Sequence, residues 1–428
     1  MSGARKRIVI ATVGSLGDLH PYMAVALGLR ARGHDVVLAA TPSYRCRVEA
    51  AGLDFRPLRP APPNRDVYAR AMDPKKGSEF AFRDVLMPAV SDTYDDLRTI
   101  IAETNANLLV SSSAVFAAPL VAEKLRVPWA STVLAPLTFL SAHEPLVHAW
   151  RIARGQPRSA VSATVVGTSA RNVADRITRS WGEPIRELRR RLGLPPTTAN
   201  PLYDGQHSPT LVLAMFSRVL GSAQPDWPPQ TCQTGFAFYD GDETGSQELD
   251  KALKRFFDEG PAPIVFTLGS SAVHAAGEFY TASIAAAQAL GRRALLLVGK
   301  EPFNRSNLPS PLPKGIAVFD YAPYAAVFAR SAAAVHQGGV GTVAQALRAG
   351  LPSLVVPFNF DQPDNAARIA RLGAGRVLSR DAYTGSTAAD ALNQLLNDRA
   401  ISQRAKSAAE IIASERGADV ACDALALL

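Results

Sequence analysis

Cysteine is scarce in this chain of 428 residues, where only Cys46, Cys232 and Cys422 occur, far apart. An odd number at such spacings argues against a disulfide framework or a zinc site and fits a reducing cytoplasm. The chain also lacks an unbroken apolar run of about 18 residues, so no membrane span is expected. The short run Ile8–Val13 after the basic start predicts a buried first strand, not a cleaved leader.

Acidic residues are also in deficit, with 38 against 46 lysines and arginines and a formal charge of +8. Such an excess can favour nucleic acid, an anionic ligand or an anionic membrane surface. Most arginines, however, are scattered over helical stretches such as 186–194, which is typical of a solvated face. We expect no nucleic-acid partner, and peripheral membrane contact stays open.

The hydrophobic rhythm predicts an α/β protein with two doubly wound parallel sheets. Residues 6–12 and 35–41 are apolar runs, and the helical spacing of 21–33 between them ends at a glycine. This is a βαβ unit, and similar units follow it. Residues 217–245 are rich in proline, glycine and polar residues, and the alternation of predicted strands and helices resumes after them. The predicted domains are therefore 1–216 and 246–410, joined by a linker.

The sequence "HQGGVGT" at 336–342 predicts an anion site. It follows a predicted strand, 332–335, and precedes a helix that is expected to start near Thr342. Glycines let backbone N–H groups approach an oxyanion at a helix N-terminus, and His336 can add a hydrogen-bond donor or a positive charge. A glycine-rich turn that only serves close packing explains this cluster about equally well on its own.

A second loop favours the interpretation of residues 336–342 as a ligand-binding site. "SLVVPF" predicts the next parallel strand, and "NFDQPDN" follows it at the same carboxyl edge, so Asp361 and Gln362 can reach sugar hydroxyls near a bound phosphate. Two more loops end at that edge. They supply hydroxyls and amides for phosphate and an aromatic ring for a base: Gly269, Ser270 and Ser271, then Tyr321 and Tyr324. Base, diphosphate and sugar together indicate a nucleotide sugar.

These motifs, with "GSLGDLHPYMAVALGLRARGHDVVLAAT" near the start and "VFTLGSS", resemble the UDP-glycosyltransferase superfamily, in its bacterial rhamnosyl-, sterol- and antibiotic-glycosyltransferase branch. The resemblance covers nearly the whole chain. It implies the GT-B fold, with two facing Rossmann-like domains, an interdomain cleft, and a last helix, 411–428, that crosses back to the first domain. It assigns the diphosphate to His336, Gly338, Gly339 and Thr342, and the sugar to Asp361 and Gln362. Gly341 is also expected to belong to the donor site.

Two residues compete for the role of catalytic base. Asp18 and His20 follow the first strand and are expected to face the donor across the cleft. The resemblance favours Asp18, which stands three positions before Pro21. His20 has the better ordinary pKa for neutral pH, but serines occupy the loop where relatives with a histidine base carry an orienting carboxylate. A helix N-cap is the plain structural role for Asp18.

The predicted reaction is an inverting transfer of a hexose from a UDP- or dTDP-sugar to a hydroxyl of a hydrophobic small molecule. It requires no cofactor and no metal, and Asp240–Asp242 is interpreted as part of a turn. Apolar segments such as 134–150 are candidates for the acceptor pocket. The alternative is a nucleotide-sugar epimerase on the same fold. NAD binding is disfavoured because neither glycine cluster reads G-x-G-x-x-G.

Overall fold

The computed structural model describes residues 5–61, 64–144, 163–241 and 247–428. Within these ranges two parallel sheets of seven and six strands are covered by helices. No helix among the described residues is long and apolar enough to cross a bilayer.

The first sheet has the strand order β3-β2-β1-β4-β5-β6-β7. Its strands are β1 (Arg7–Ala11), β2 (Asp35–Ala40), β3 (Asp54–Pro57), β4 (Leu108–Ser112), β5 (Trp129–Val133), β6 (Leu211–Ala214) and β7 (Thr231–Gln233). The helices of this half are α1 (Leu16–Ala31), α2 (Arg45–Ala50), α3 (Arg65–Ala71), α4 (Gly77–Phe80), α5 (Val90–Thr104), α6 (Ala118–Leu125), α7 (Ala163–Thr178) and α8 (Glu183–Arg191).

The second sheet has the order β10-β9-β8-β11-β12-β13. Its strands are β8 (Ile264–Thr267), β9 (Ala294–Leu297), β10 (Ile316–Phe319), β11 (Ala333–His336), β12 (Ser353–Val355) and β13 (Gly375–Val377). The helices are α9 (Gln247–Asp258), α10 (Phe279–Ala289), α11 (Pro302–Ser306), α12 (Tyr324–Phe328), α13 (Val340–Arg348), α14 (Gln362–Leu372), α15 (Gly385–Asn397), α16 (Arg399–Ser414) and α17 (Gly417–Ala426).

Strand β1 shows why the sheets need helices on both faces. Successive strand residues point to opposite faces, and here Ile8 and Ile10 join one buried cluster while Val9 and Ala11 join another. Both faces of the strand are therefore buried, as expected for a doubly wound parallel sheet.

Two helices begin earlier than the sequence pattern predicts. Helix α1 starts at Leu16 rather than at Pro21, because the side chain of Asp18 accepts a hydrogen bond from the Ser15 backbone and stabilises the first turn. Helix α13 starts at Val340, two residues before Thr342. For α1, the sequence pattern suggested a start at Pro21, which in fact lies inside the helix.

The domain boundaries also differ from the predicted ones. β7 lies inside the segment 217–245 that was predicted as a linker, and it pairs with β6 to complete the first sheet. Residues 242–245 of that segment lie outside the described residues. α16 runs to Ser414 and packs on α13 of the second domain, so the crossing helix begins at Gly417 rather than at 411.

The chain crosses back to the first domain through α17, which packs against α1. The two crossings run side by side. Ser217 Oγ donates to Glu415 Oε1 at 3.0 Å, and a Cβ at Gly417 would come within 2.3 Å of the Phe236 carbonyl oxygen. Leu425 of α17 is fully buried in the cluster that contains Met23 and Leu29 of α1.

Replacing Leu425 with alanine tests the contribution of this helix. The truncated side chain leaves a cavity against α1, and we expect a loss of about 2–5 kcal/mol in the free energy of unfolding, measured by chemical denaturation. Leu427, which is 89% exposed, provides the control, since Leu427→Ala removes no buried contact. Equal effects of the two substitutions would contradict the packing of α17 on α1.

Candidate active site

The strand order of each sheet reverses at one central strand. β1 lies between β2 and β4, and β8 lies between β9 and β11. In open α/β sheets, ligands bind outside the carboxyl ends of the strands at such a switch point. The loops that follow β1, β8 and β11 carry candidate site residues, and the loops after β10 and β12 carry the others.

The two switch points face each other. The backbone N–H of Leu16, in the first turn of α1, donates to Ser270 Oγ in the loop after β8 at 3.2 Å. A Cβ at Gly341 would lie 3.3 Å from the Cα of Gly17. The N-termini of α1 and α13 therefore meet across the domain interface.

A single cleft of about 2200 Å³ runs between the domains. Typical small-molecule sites measure about 300–1,000 Å³, so this cleft has room for two ligands side by side. The candidate residues that line it are Asp18, His20, Gly269, Ser270, Ser271, Tyr321, Tyr324, Gly339, Gly341, Thr342, Asp361 and Gln362.

The glycine loop joins β11 to α13. Gly338 has a φ of 88°, and a Cβ there would lie 2.8 Å from Val355 Cγ1, so both conformation and space favour glycine. Gly339 is the N-cap of α13, and the first turn of that helix lines the cleft. N–H groups in a first turn have no intrahelical acceptor and can bind an anion.

His336 and Gly338 lie behind this lining. His336 is the last residue of β11 and is fully buried, and its Nδ1 accepts a hydrogen bond from the Gly338 N–H at 3.0 Å. Burial lowers the pKa of His336 to about 3. The ring is therefore neutral with its proton on Nε2, which is buried without a partner. The structure therefore argues against a positive charge on His336, and the ring supports the glycine loop from outside the cleft lining.

Asp361 is the N-cap of α14, and its carboxylate closes the site below the glycine loop. Asp361 Oδ2 accepts hydrogen bonds from the Val340 N–H at 3.2 Å and from Asn365 Nδ2 at 2.7 Å. Burial and the nearby charge of Asp18 raise the pKa of Asp361 to about 7, against the effect of these bonds. The two carboxyl groups thus interact across the cleft.

Gln362 is buried and is held by its own loop. Its Oε1 accepts from the backbone N–H of Phe358 at 3.0 Å and of Asn359 at 3.3 Å. Its Nε2 lies 3.8 Å from Met72 Sδ of the first domain. The side-chain oxygen is therefore engaged within the protein, and the Nε2 end is the one nearest to the first domain.

The loops after β8 and β10 complete the donor side of the cleft. Gly269 has a φ of 64°, and Ser271 precedes a short 3-10 turn. Tyr321 lines the cleft half-buried. The Tyr324 hydroxyl lies 2.8 Å from Thr267 Oγ1, and the Tyr324 ring stacks on Phe328, so this tyrosine has a packing role.

Asp18 and His20 both line the cleft from α1. Asp18 is the third residue of the helix, not its N-cap, which is Ser15. Its Oδ2 accepts from Ser15 N at 2.7 Å and from Ser15 Oγ at 3.0 Å, and burial raises the pKa of Asp18. The His20 ring packs 5.5 Å from the Tyr239 ring of the interdomain segment.

Two further residues of this site were not singled out from the sequence. Asn365 is fully buried and ties the two donor loops together, because its Nδ2 contacts both Gly338 O at 2.9 Å and Asp361 Oδ2. Gln337 lines the cleft and donates to Thr342 Oγ1 at 3.3 Å. The helical i,i+4 spacing of Asp361 and Asn365 was the available signal for the first.

The first-domain part of the cleft is mainly apolar. Phe82 lies between two other rings, with centroids 5.8 Å from Phe116 and 6.2 Å from Trp181. Leu137 and Leu202 extend this surface. Of the candidate segment 134–150, residues 134–135 and 137–140 contribute to the lining, and residues 145–150 lie outside the described residues.

No group of three or more His, Cys, Asp or Glu side chains suited to a metal ion occurs among the described residues. Asp240 accepts a hydrogen bond from Arg348 at 2.7 Å, and Asp242 lies outside the described residues.

Asp361→Asn should alter how stability depends on pH. In the folded protein the pKa of Asp361 is raised to about 7, so the folded state binds more protons than the unfolded state above the ordinary aspartate range. This group therefore lowers stability as pH rises from about 4 to about 7. Relative to wild type, Asp361→Asn should gain stability over that window, measured by denaturant unfolding at several pH values. A constant difference would contradict the raised pKa.

Comparisons with known proteins agree with this geometry. Residues 8–142 match the model of the glycosyltransferase family 28 N-terminal domain. Residues 297–427 match the C-terminal domain of the erythromycin biosynthesis protein CIII-like family.

Among curated relatives, O-mycaminosyltylonolide 6-deoxyallosyltransferase of Streptomyces fradiae is 32% identical over 97% of this chain and 96% of the relative. A sterol 3-beta-glucosyltransferase of Vanderwaltozyma polyspora is 27% identical over 97% of this chain, which spans 34% of that enzyme. The solved structure of spinosyn rhamnosyltransferase SpnG complexed with thymidine diphosphate has the same fold, with a TM-score of 0.66, 19% identity, and coverage of 96% and 98% of the two chains. The chain is thus a GT-B glycosyltransferase and belongs to the UDP-glycosyltransferase superfamily.

Proposed function

We propose that this glycosyltransferase moves a hexose from a UDP- or dTDP-sugar to a hydroxyl of a hydrophobic small molecule, with inversion at the anomeric carbon and without a metal. The observation that carries the proposal is the meeting of the two helix N-termini: Asp18 on one side and the glycine loop with Asp361 on the other line one cleft. The apolar first-domain side suits a secondary-metabolite or sterol-like acceptor.

In the proposed reaction Asp18 is the general base. It takes the proton from the acceptor hydroxyl as that oxygen attacks the anomeric carbon from the first-domain side. The bond from the anomeric carbon to the diphosphate oxygen breaks, and the electron pair leaves with the diphosphate. Asp361 and Gln362 hold the sugar hydroxyls, and Tyr321 contacts the base.

The charge on the leaving diphosphate is assigned to backbone groups. Because His336 is neutral and buried, this stabilisation is assigned to the hydroxyls of Ser270 and Thr342 and to the first-turn N–H groups of α13 other than that of Val340, which donates to Asp361. His336 holds the loop from behind by accepting the Gly338 N–H.

A donor panel tests the proposal. UDP- and dTDP-sugars are incubated with phenolic, sterol and macrolide acceptors, and nucleotide release is measured with and without acceptor. We expect release that depends on the acceptor, an inverted anomeric configuration by NMR, and full activity in EDTA. Conversion of the donor without any acceptor would instead favour the epimerase, which the matched families do not support.

The base assignment is tested by Asp18→Asn. The amide keeps the size of the side chain but cannot take the proton, so turnover should fall by about 10²–10⁴-fold. Binding of nucleoside diphosphate, measured by calorimetry, should remain close to wild type. His20→Gln is the companion variant. A larger loss in His20→Gln than in Asp18→Asn would transfer the role of base to His20.

A further inference from the structure

A buried ion pair joins the two domains beside the acceptor side of the cleft. Arg368 of α14 donates through Nη1 to Glu144 Oε2 at 2.7 Å, and the two side chains are only 5% and 14% exposed. Arg371, one turn further along α14, donates to Glu144 Oε1 at 2.9 Å and is 45% exposed. The Glu144 carboxylate therefore accepts hydrogen bonds from two guanidinium groups of the second domain.

Arg368 has little freedom to move. Its Nε donates to Asp364 Oδ2 at 2.7 Å, and its Nη1 also lies 3.2 Å from the carbonyl oxygen of Leu220. Buried charges are tolerated only when they are paired and hydrogen-bonded, and removal of one partner leaves the other uncompensated. This cluster therefore fixes one geometry, and among the described residues of the loop that follows β5, Glu144 is the one that joins it.

Within the described part of that loop, residues 134–144, the lining of the acceptor side of the cleft comes from 134–135 and 137–140. Residues 141–144 are held by hydrogen bonds at two places. Asp226 accepts hydrogen bonds from Ser141 Oγ at 2.7 Å and from the Ala142 N–H at 2.8 Å, and Glu144 is held by α14. The position of the acceptor wall is thus set partly by a helix of the other domain.

The same helix carries the donor end of the site. Its N-cap is Asp361 and its first residue is Gln362, to which the proposed function assigns the sugar. Asp364, Arg368 and Arg371 follow along α14. One rigid helix therefore connects the sugar-binding residues to the anchor of the acceptor loop.

We propose that Glu144 and Arg368 are positioning residues that hold the acceptor loop at a fixed distance from the donor sugar. The inference rests on the proposed function. Reaction rates depend steeply on the alignment of the reacting atoms, and a displacement of about 1 Å can cost about a hundredfold in rate. Release of the loop should therefore impair attack by the acceptor, whereas attack by water on the bound donor needs no acceptor wall.

Glu144→Gln tests this directly. One oxygen that accepts from a guanidinium becomes an N–H₂ donor, so the loop loses part of its anchor while its size is kept. We expect the ratio of sugar transfer to donor hydrolysis to fall at least tenfold. The dissociation constant of UDP or dTDP, measured by calorimetry, should stay within twofold of wild type. A merely structural role would lower transfer, hydrolysis and nucleotide binding together.

Two further variants grade the effect. Arg371→Gln removes only the exposed one of the two arginines that bind Glu144, so it should lower the ratio of transfer to hydrolysis less than Glu144→Gln does. If Glu144→Gln does not fold, the ratio measured for Arg371→Gln tests the proposal instead. Asp419→Asn breaks an exposed ion pair with Arg32 between α17 and α1 and should leave the ratio unchanged.

The inference is overturned if wild-type enzyme transfers sugar and Glu144→Gln keeps the wild-type ratio, or if its nucleotide affinity falls in parallel with transfer. A wild-type enzyme that transfers no sugar to any acceptor of the panel instead refutes the proposed function. Failure of the inference is therefore seen in the variant, and failure of the proposed function is seen in the wild-type enzyme.

Discussion

An apolar seam between the domains is the contact on which the rest of the structure depends. Val133, Phe216 and Trp227 of the first domain share one buried cluster with side chains of the second domain, among them Val343, Leu347, Ile369 and Ile412. Burial of this surface holds the carboxyl edges of the two sheets toward each other. Without it each switch point would be an ordinary edge exposed to solvent.

The cleft combines this apolar seam with closely placed charges. Asp18 and Asp361 approach from opposite domains, and each has a raised pKa because it is withdrawn from water. Protonation of Asp361, whose pKa is raised to about 7, relieves the repulsion between the two carboxylates near neutral pH.

Much of this could be predicted from the sequence, because periodicity and loop chemistry are local. The parallel sheets, the glycine loop and the edge that carries Asp361 follow from runs of apolar residues and from the rule that parallel strands end at one edge. The start of α1 was placed too late, because the Ser15–Asp18 capping interaction competes with the ordinary signal of Pro21. The charge of His336 was left open, because burial depends on neighbours distant in the sequence.

Contacts between remote segments were beyond such reasoning. Nothing in the sequence around Glu144 indicates Arg368, which lies on another domain, and β7 is a strand of three residues inside a segment rich in turn formers. Such pairings are fixed by tertiary packing. The sequence is therefore most informative about which loops form the site and least informative about what holds the domains at their distance.

The paired crossings between the domains constrain how the cleft can move. A single covalent connection would let one domain swivel about it in any direction. Here the chain passes out through the segment near Phe236 and returns just before Gly417, and the two strands of backbone touch. Because the two connections are in contact, a movement of one domain relative to the other displaces both of them together. A side chain at Gly417 would collide with the Phe236 carbonyl oxygen and separate them.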